Sequence, residues 1–348
     1  MAALFDDLFE EILLRFPPDD PALLVRASLV CKDWCRLISG AGFRCRFREF
    51  HRTPPVRGFL CNVVDSYADV NEGASCFITQ FVPTSSACPA RGSAADRHGW
   101  HALDSRHGRV LLHSLPFGFT QVMLVCDPIT GDEVALPKLP SGHSLYDRGG
   151  FNAAVVCALG DTCNHLDCHR GPFLEVFVGS SETLGMMFTC VCGVLAGNAL
   201  YFVSQVSMIL EYDLSTREIS EMRLPATVDP QLIVLITTED GGLGFVGVEN
   251  YRLCLWSREV SRDKDTKWIK YKVIELETLL PAEALLATPR VLGFVDGVGV
   301  ILIWTSDGDF TIDLKSGQVV ERREFSVDES SPINLRNVVP YMSFHIPG

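Results

Sequence analysis

Apolar side chains recur at helical spacing in the first 40 residues, and further along the chain they occur in short strand-like runs. In the first predicted helix they form a stripe on one face, at Leu4, Leu8, Ile12 and Leu13. Pro17 ends that helix, because the residue before a proline is pushed out of the α region. Asp20 followed by Pro21 is typical of the start of a second helix. The apolar pattern continues into a third helix, which Gly40 is expected to end.

Three such short helices carry more apolar surface than a unit of about 40 residues can enclose, so part of it is expected to bind another molecule. The segment from Leu4 to Trp34, with the run SLVCKDW at 28–34, closely resembles the F-box motif. One residue departs from the family pattern, since Phe5 follows Leu4 where the family commonly has proline. The family uses this surface to bind the small adaptor subunit of SCF-type cullin-RING ubiquitin ligases.

The resemblance implies adaptor contact for nine apolar residues, several of which could equally form the internal core of the three helices. They are Leu4, Leu8, Ile12, Leu13, Leu24, Leu29, Val30, Cys31 and Trp34. Trp34 is the expected single anchor, because large aromatic side chains dominate interface energetics. The substrate-binding residues are not predicted.

Beyond Pro54-Pro55, short runs of Val, Ile, Phe and Leu alternate with Gly, Asp, Asn and Ser, as is typical of an all-β domain. A weak repeat of strand, Asp-led turn and strand is clearest at 108–137, 199–225 and 300–320. With degenerate copies between these, about six units fit the period of propeller blades, and 340–344 are expected to return as a closing strand. This half resembles the β-propeller-like domain found behind the F-box in a large plant family.

The predicted fold is therefore multidomain α + all-β. A three-helix F-box is expected over 1–50, a linker over 51–57, and a β-propeller-like substrate-recognition domain of about six blades over 58–348. One blade is expected to be shortened, because 182–192 lack the pattern of an outer strand.

Charge and cysteine content restrict the class of partner and the compartment. The formal net charge of −13 argues against a nucleic-acid partner, and the arginines clustered between Arg44 and Arg57 are interpreted as a solvated face. Thirteen cysteines without a regular framework, behind an acidic N-terminus, indicate a reduced cytoplasmic or nuclear compartment. The stretch 184–210 carries no charge, but Gly197-Asn198 favours a turn between strands over a membrane helix.

Two side-chain clusters are candidates for chemistry. Cys163, His165, Cys168 and His169 are potential zinc ligands, but such close neighbours cannot easily all face one centre, and Cys157 or a distant histidine would have to join. A polar loop is therefore favoured, and no metal or cofactor is predicted. The histidines between His98 and His113 are expected on inter-strand loops, and no nucleophile elbow or phosphate loop is present in the sequence.

The preferred hypothesis is a non-catalytic substrate-recognition subunit of an SCF-type ligase, with the adaptor, through it the cullin, and an unknown protein substrate as partners. No nucleic-acid or membrane partner is expected. One alternative is a propeller enzyme or ligand-binding module whose helices serve to dimerise. Another is an F-box protein that binds the adaptor but assembles no working ligase.

Overall fold

The computed structural model describes residues 2–65, 77–85, 96–114, 122–137, 151–166, 168–179, 192–204, 207–260, 266–322 and 333–344. Four helices come first: α1 Ala2–Leu14, α2 Pro21–Ser28, α3 Lys32–Ser39 and α4 Ala41–His51. The predicted helix start at Asp20 is confirmed, because its carboxylate Oδ1 accepts the backbone N–H of Ala22 at 3.1 Å. Gly40 follows α3, as predicted.

The fourth helix was not predicted. Phe43 and Phe47 are fully buried, one turn apart on the inner face of α4. Arg44 donates from Nη2 to the carbonyl of Ser39 at 2.5 Å, and Arg46 pairs with the carboxylate of Glu10 on α1. Two arginines of α4 therefore bind it to the preceding helices. The interpretation of the basic cluster as a solvated face fits Arg46, whose side chain is 52% exposed, and is wrong for Arg57, which is 2% exposed.

Within the ranges just given, twenty-two strands follow, and their bounds define the β part. They are β1 Val56–Asp65, β2 Phe77–Pro83, β3 Asp96–His98, β4 Trp100–Arg106, β5 Arg109–Ser114, β6 Met123–Cys126, β7 Glu133–Ala135, β8 Phe151–Cys157, β9 Phe173–Gly179, β10 Val194–Ala196, β11 Ala199–Ser204, β12 Met208–Asp213, β13 Ile219–Arg223, β14 Ile233–Thr237, β15 Leu243–Glu249, β16 Arg252–Val260, β17 Thr266–Glu275, β18 Arg290–Val295, β19 Val300–Thr305, β20 Gly308–Asp313, β21 Val319–Arg322 and β22 Ile333–Met342.

The strands form a β-propeller. In the described part of the chain there are five four-stranded sheets and, in third place along the chain, a two-stranded sheet of β8 and β9. The prediction of a propeller of about six blades is confirmed. Residues 180–191, where the missing outer pattern was noted, lie outside the described residues. Beyond them, the predicted turn at Gly197-Asn198 is confirmed between β10 and β11.

The last strand closes the ring. β22 pairs antiparallel with β1 and is the innermost strand of the first sheet, in the order β22-β1-β2-β3. The register places Val339 opposite Leu60 and Val338 opposite Cys61, all of them buried. The predicted return of the C-terminal segment as a closing strand is confirmed. The first blade therefore joins chain segments almost 300 residues apart.

The repeated Asp-led turn has the predicted geometry in all three clear copies. Asp127, Asp213 and Asp313 each accept two backbone N–H groups, two and three residues further on, at 2.7–3.2 Å. These bonds stabilise the carboxylate and hold the pKa of Asp213 and of Asp313 below its usual range. The left-handed position of the turn is taken by glycine in the first and third copies and by Arg217 in the second.

The helices and the propeller share one hydrophobic core. Buried side chains of all four helices form one cluster with Phe344, which follows β22, and Leu166 from the β8–β9 loop packs against that cluster. Residues 52–55 separate α4 from β1, and Arg57 Nε donates to the carbonyl of Ser343 at 2.9 Å. The four helices and the propeller are therefore held in one orientation by packing.

No helix of the described residues is long and apolar enough to cross a membrane. The described part of the uncharged stretch 184–210 consists of β10, β11 and the beginning of β12. Its apolar side chains are instead buried between blades, for example Leu200 and Phe202 against Ala154 of β8. A low charge density in this segment reflects burial on both faces of a strand.

Asp309 on β20 predicts a dependence of stability on pH. Its side chain is 4% exposed, Oδ1 has no hydrogen-bond partner within the described residues, and burial raises its pKa to about 7. The folded state keeps this proton to higher pH than the unfolded chain does, so the free energy of unfolding falls as pH rises from about 4 to about 7. A pKa raised this far corresponds to a loss of at most roughly 4 kcal/mol in the free energy of unfolding over this pH range.

Asp309→Asn should therefore stabilise the protein relative to wild type at pH 8 and have little effect at pH 4. Urea unfolding across this pH range measures the difference. The exposed neighbour Asp307→Asn is the matched control, for which we expect no such trend. If the free energies of unfolding of Asp309→Asn and wild type differed by the same amount at every pH, the prediction would be contradicted.

Candidate functional site

The turn between α2 and α3 exposes two large apolar side chains side by side. Leu29 is 80% exposed and Val30 is 66% exposed, and Cys31 beside them is exposed as well. The turn is tight, since the N–H groups of Leu29 and Val30 donate to the carbonyls of Arg26 and Ala27 at 3.2 and 3.1 Å. With the backbone held in this way, the two side chains point outward together.

Cys31 begins the next helix. Its backbone is extended, with φ −156° and ψ 166°, and its carbonyl accepts the N–H of Cys35 at 3.0 Å. The extended residue changes the chain direction between α2 and α3. The run SLVCKDW therefore contains the end of one helix, an exposed apolar turn and the start of the next.

The first helix adds a second exposed apolar pair. Leu8 and Ile12 lie one turn apart on α1, and both are exposed, whereas the neighbouring Leu13 is fully buried. The ring of Phe9 packs against Trp34 of α3 with 5.3 Å between ring centroids. This contact fixes α1 against α3 and leaves the other face of α1 toward solvent.

The nine predicted adaptor-binding residues thus occupy three environments. Leu8, Ile12, Leu29, Val30 and Cys31 are exposed, Trp34 is half-buried, and Leu13 and Leu24 lie in the core shared with the propeller. The side chain of Leu4 lies outside the described residues. Leu13 and Leu24 therefore position the helices that carry the exposed residues. Periodicity alone could not separate the two groups, since all of them lie on apolar stripes.

An exposed apolar turn of this kind suits a protein partner. Burying a leucine or valine side chain contributes about 1.5–3 kcal/mol. Neighbouring exposed apolar residues are typical of interaction sites on soluble proteins. Three acidic side chains of α1 and α3 are paired with arginines, namely Glu10 with Arg46, Glu11 with Arg15 and Asp33 with Arg36. The surface therefore presents mainly apolar side chains to a partner.

The propeller has a cavity of about 380 Å³ on the side that faces the helices, lined by inner strands and by the linker residues 52–54. Asp104 in its wall is buried and accepts the N–H of Val155 and Nε of Arg106, each at 2.9 Å. Burial raises the pKa of this carboxyl, and Arg106 opposes the shift. The sequence pattern did not single out this cavity, because its lining comes from several blades.

Three of the four histidines expected on inter-strand loops lie on strands. His101 on β4 and His113 on β5 are directly paired across the two strands, and both are buried. His98 lies at the end of β3, and only His107 of the four lies in a turn, between β4 and β5. The loop expectation was wrong for the strand residues, because a histidine can fill a core position when its neighbours pack around the ring.

The β8–β9 loop gathers four potential metal ligands. The ligand atoms of Cys157, Cys163, His165 and Cys168 all lie within 4.8 Å of one another. On the sequence alone, Cys157 or a distant histidine is required to complete a metal site in this loop. The fold places Cys157 beside the other three ligands. His169 does not belong to the group, although it follows Cys168 directly.

Family models match both parts of the chain. An F-box domain model matches residues 2–46. A model described as "F-box protein AT5G49610-like, beta-propeller" matches residues 176–319. The matches agree with the resemblance drawn from the helical motif and from the strand repeat. No curated protein matches the sequence.

Solved structures with a related arrangement are distant. TolB from Acinetobacter baumannii is 12% identical, with 82% of this chain and 58% of that chain covered and a TM-score of 0.35. A DUF4784 family protein from Bacteroides caccae ATCC 43185 is 11% identical, with 82% and 74% covered and a TM-score of 0.43. BamB from Moraxella catarrhalis is 13% identical, with 71% and 69% covered and a TM-score of 0.27. The chain spans less than two thirds of the TolB chain.

Proposed function

Because the chain is an F-box protein with a β-propeller C-terminal to its F-box, we propose that it is the substrate-recognition subunit of an SCF-type cullin-RING ubiquitin ligase. The observation that supports this most directly is the exposed apolar turn at Leu29 and Val30 within a matched F-box domain. The F-box binds the adaptor subunit, and the adaptor connects the chain to the cullin. The propeller binds a protein substrate.

The proposed mechanism is proximity. Holding a substrate lysine near the ubiquitin-charged enzyme raises its effective concentration and orients it for attack. The core that α1–α4 share with Phe344 and Leu166 supports this role, because a fixed orientation between the two binding surfaces limits the positions open to the substrate. No residue of this chain takes part in bond-making. The proposed location is the cytoplasm or the nucleus.

Reconstitution tests the proposal. The full chain is co-expressed with an SCF adaptor, and the pair is then mixed with cullin and RING subunits. We expect the chain and the adaptor to co-elute as a 1:1 complex in size-exclusion chromatography and to enter the larger assembly when the cullin is added. Ubiquitin transfer to proteins captured by the propeller is the functional readout.

The outcomes separate the three hypotheses. Failure to co-elute with any SCF adaptor, for a protein that is folded by circular dichroism, would exclude the ligase role. Co-elution with the adaptor but no entry into the cullin assembly would instead identify an F-box protein that forms no working ligase. Catalytic turnover by the chain alone would favour the enzyme alternative.

A further inference from the structure

We propose that Cys157, Cys163, His165 and Cys168 bind one zinc ion and that this ion stabilises the β8–β9 loop where it contacts the F-box. The inference does not depend on the proposed function, because it concerns metal binding by the chain alone. It reverses the sequence-based preference for a simple polar loop, and the reason is the position of Cys157.

The geometry of the four groups suits a tetrahedral ion. Zinc–sulfur bonds of about 2.3 Å and zinc–nitrogen bonds of about 2.0–2.1 Å place ligand atoms roughly 3.4–3.8 Å apart. His165 Nδ1 lies 3.8 Å from Cys168 Sγ, and every pair in the group is within 4.8 Å. Shifts of about 1 Å or less therefore complete the coordination.

The fold supplies the ligand that sequence proximity could not. Cys157 is the last residue of β8 and lies opposite Phe173 of β9 in the hairpin register. It is buried at the base of the loop, and the chain then leaves the strand and returns with Cys163, His165 and Cys168 above it. One ligand from the strand and three from the loop can surround a centre, whereas neighbouring loop residues alone could not easily do so.

The loop is held in this shape by bonds that do not involve the ligand atoms. The buried guanidinium of Arg109 donates to the carbonyl of Gly171 at 2.7 Å and also to that of Cys168. The N–H of Gly171 donates to the carbonyl of Cys168 at 2.8 Å, and the N–H of Cys163 to that of Gly160 at 3.1 Å. Preorganised ligands lower the cost of binding the ion.

One contact of the ligands resembles the outer shell of metal sites, and a second packs against the ring of His165. The backbone N–H of His165 lies 3.4 Å from Cys163 Sγ, where it can stabilise a thiolate. The ring of His165 stacks on the ring of His107, with 4.3 Å between centroids and 9° between planes. His165 also has a left-handed backbone, with φ +57°, an uncommon conformation for a residue other than glycine.

The ligand set identifies the metal and its role. Three thiolates and one imidazole are a known structural zinc set, and soft sulfur ligands select zinc over magnesium or calcium. Four protein ligands also leave no open position for a substrate, so the ion is structural. Two of the four residues are buried and two are half-buried, which restricts the access of water to the centre.

The site lies where the propeller meets the helices. Leu166, between the ligands His165 and Cys168, packs against the core of α1–α4. Asn164 and Leu166 also line a groove with Ala41, Arg44 and Arg48 of α4. An ion that stabilises this loop therefore also stabilises the contact between the F-box and the propeller. Removal of the ion should loosen the loop and the facing surface of α4.

The test measures metal in the purified full-length chain by inductively coupled plasma mass spectrometry, without affinity tags that bind metal. We expect one zinc per wild-type chain. We also expect Co²⁺ substitution to give thiolate charge-transfer bands and the visible bands of a tetrahedral site. X-ray absorption should report three sulfur ligands and one nitrogen ligand. These measurements on the wild type require no variant to fold.

Variants with matched controls locate the site. Cys157→Ser and His165→Asn should reduce the zinc content at least tenfold. Cys254→Ser, a buried thiol of β16, and His169→Asn, the histidine outside the group, should keep it near one per chain. Hydrogen exchange should rise at 158–166 and in α4 when wild type is treated with a chelator.

Wild-type protein prepared in zinc-containing medium but lacking zinc, or zinc retained by both Cys157→Ser and His165→Asn, would overturn the proposal. A disulfide within the group under reducing conditions would do so as well. Because none of these measurements uses the adaptor, their failure is separate from failure of the ligase proposal.

Discussion

Replacing Leu29 and Val30 together by serine should abolish capture of the SCF adaptor by the full-length chain. If both side chains become buried at the interface, they contribute roughly 3–6 kcal/mol together, and each 1.4 kcal/mol is a factor of ten in affinity. We therefore expect adaptor affinity to fall by more than about 100-fold. Isothermal titration calorimetry or surface plasmon resonance with the purified adaptor measures the change.

The substitution should leave the fold intact, because both side chains are largely exposed in the free chain. Surface substitutions of this kind change stability by about 0.5 kcal/mol or less. Leu286→Ser is the matched control, since Leu286 is 82% exposed on the propeller between β17 and β18. Adaptor affinity equal to wild type in the double variant would show that this turn is not the binding surface.

This design improves on substitutions chosen from the motif alone. Leu13 is fully buried in the core with Phe344, and Trp34 packs against Phe9. Alanine at either position would weaken adaptor binding and the F-box fold together, so the two effects could not be separated. Leu8 and Ile12 on α1 offer a second exposed pair with which the extent of the surface can be mapped.

Replacing Phe344 by alanine should destabilise the helices although it lies almost 300 residues away from them in sequence. Phe344 is 6% exposed and packs in the core with side chains of α1–α4. A buried Phe→Ala change costs about 3–5 kcal/mol, through lost burial and the cavity left behind. Chemical denaturation measures the overall loss, and hydrogen exchange shows where protection is lost.

We expect the largest increase in exchange in the helices, whose buried side chains belong to the same core cluster as Phe344. Phe50→Ala is the matched control, because Phe50 is on α4 but 53% exposed. Helix protection that stays at the wild-type level in Phe344→Ala would mean that the F-box is stable without the propeller. The shared core would then contribute little to the stability of the helices.

The local pattern of the sequence was sufficient for much of the fold. The spacing of Leu8, Ile12 and Leu13 and the cap at Asp20 describe interactions within a few residues, and the structure has both. The Asp-led turns are equally local, since each carboxylate binds backbone N–H groups two and three residues away. The fourth helix escaped prediction because its arginines obscure the apolar pair Phe43 and Phe47, which pack inward.

The exposed and buried members of an apolar stripe could not be told apart from the sequence. Leu13 and Ile12 are neighbours in a helix, but the first is buried in the core cluster that contains Phe344 and the second is exposed to solvent. The difference depends on where the C-terminus returns after β22, which is a contact between distant chain segments. Periodicity indicates that a residue is on an apolar face. Only the packing of the folded chain shows whether other residues cover that face.

By itself, the sequence determined the N-terminal helices, the strands that follow them, the F-box motif and the turn that closes each repeated hairpin. All of these depend on interactions between near neighbours. The tertiary structure alone decided which apolar residues remain exposed for a partner. It also decided that Phe344 and Leu166 join the helices to the propeller, and that Cys157 completes a set of four ligands. All three depend on ring closure and hairpin register, which place residues together that the chain keeps apart.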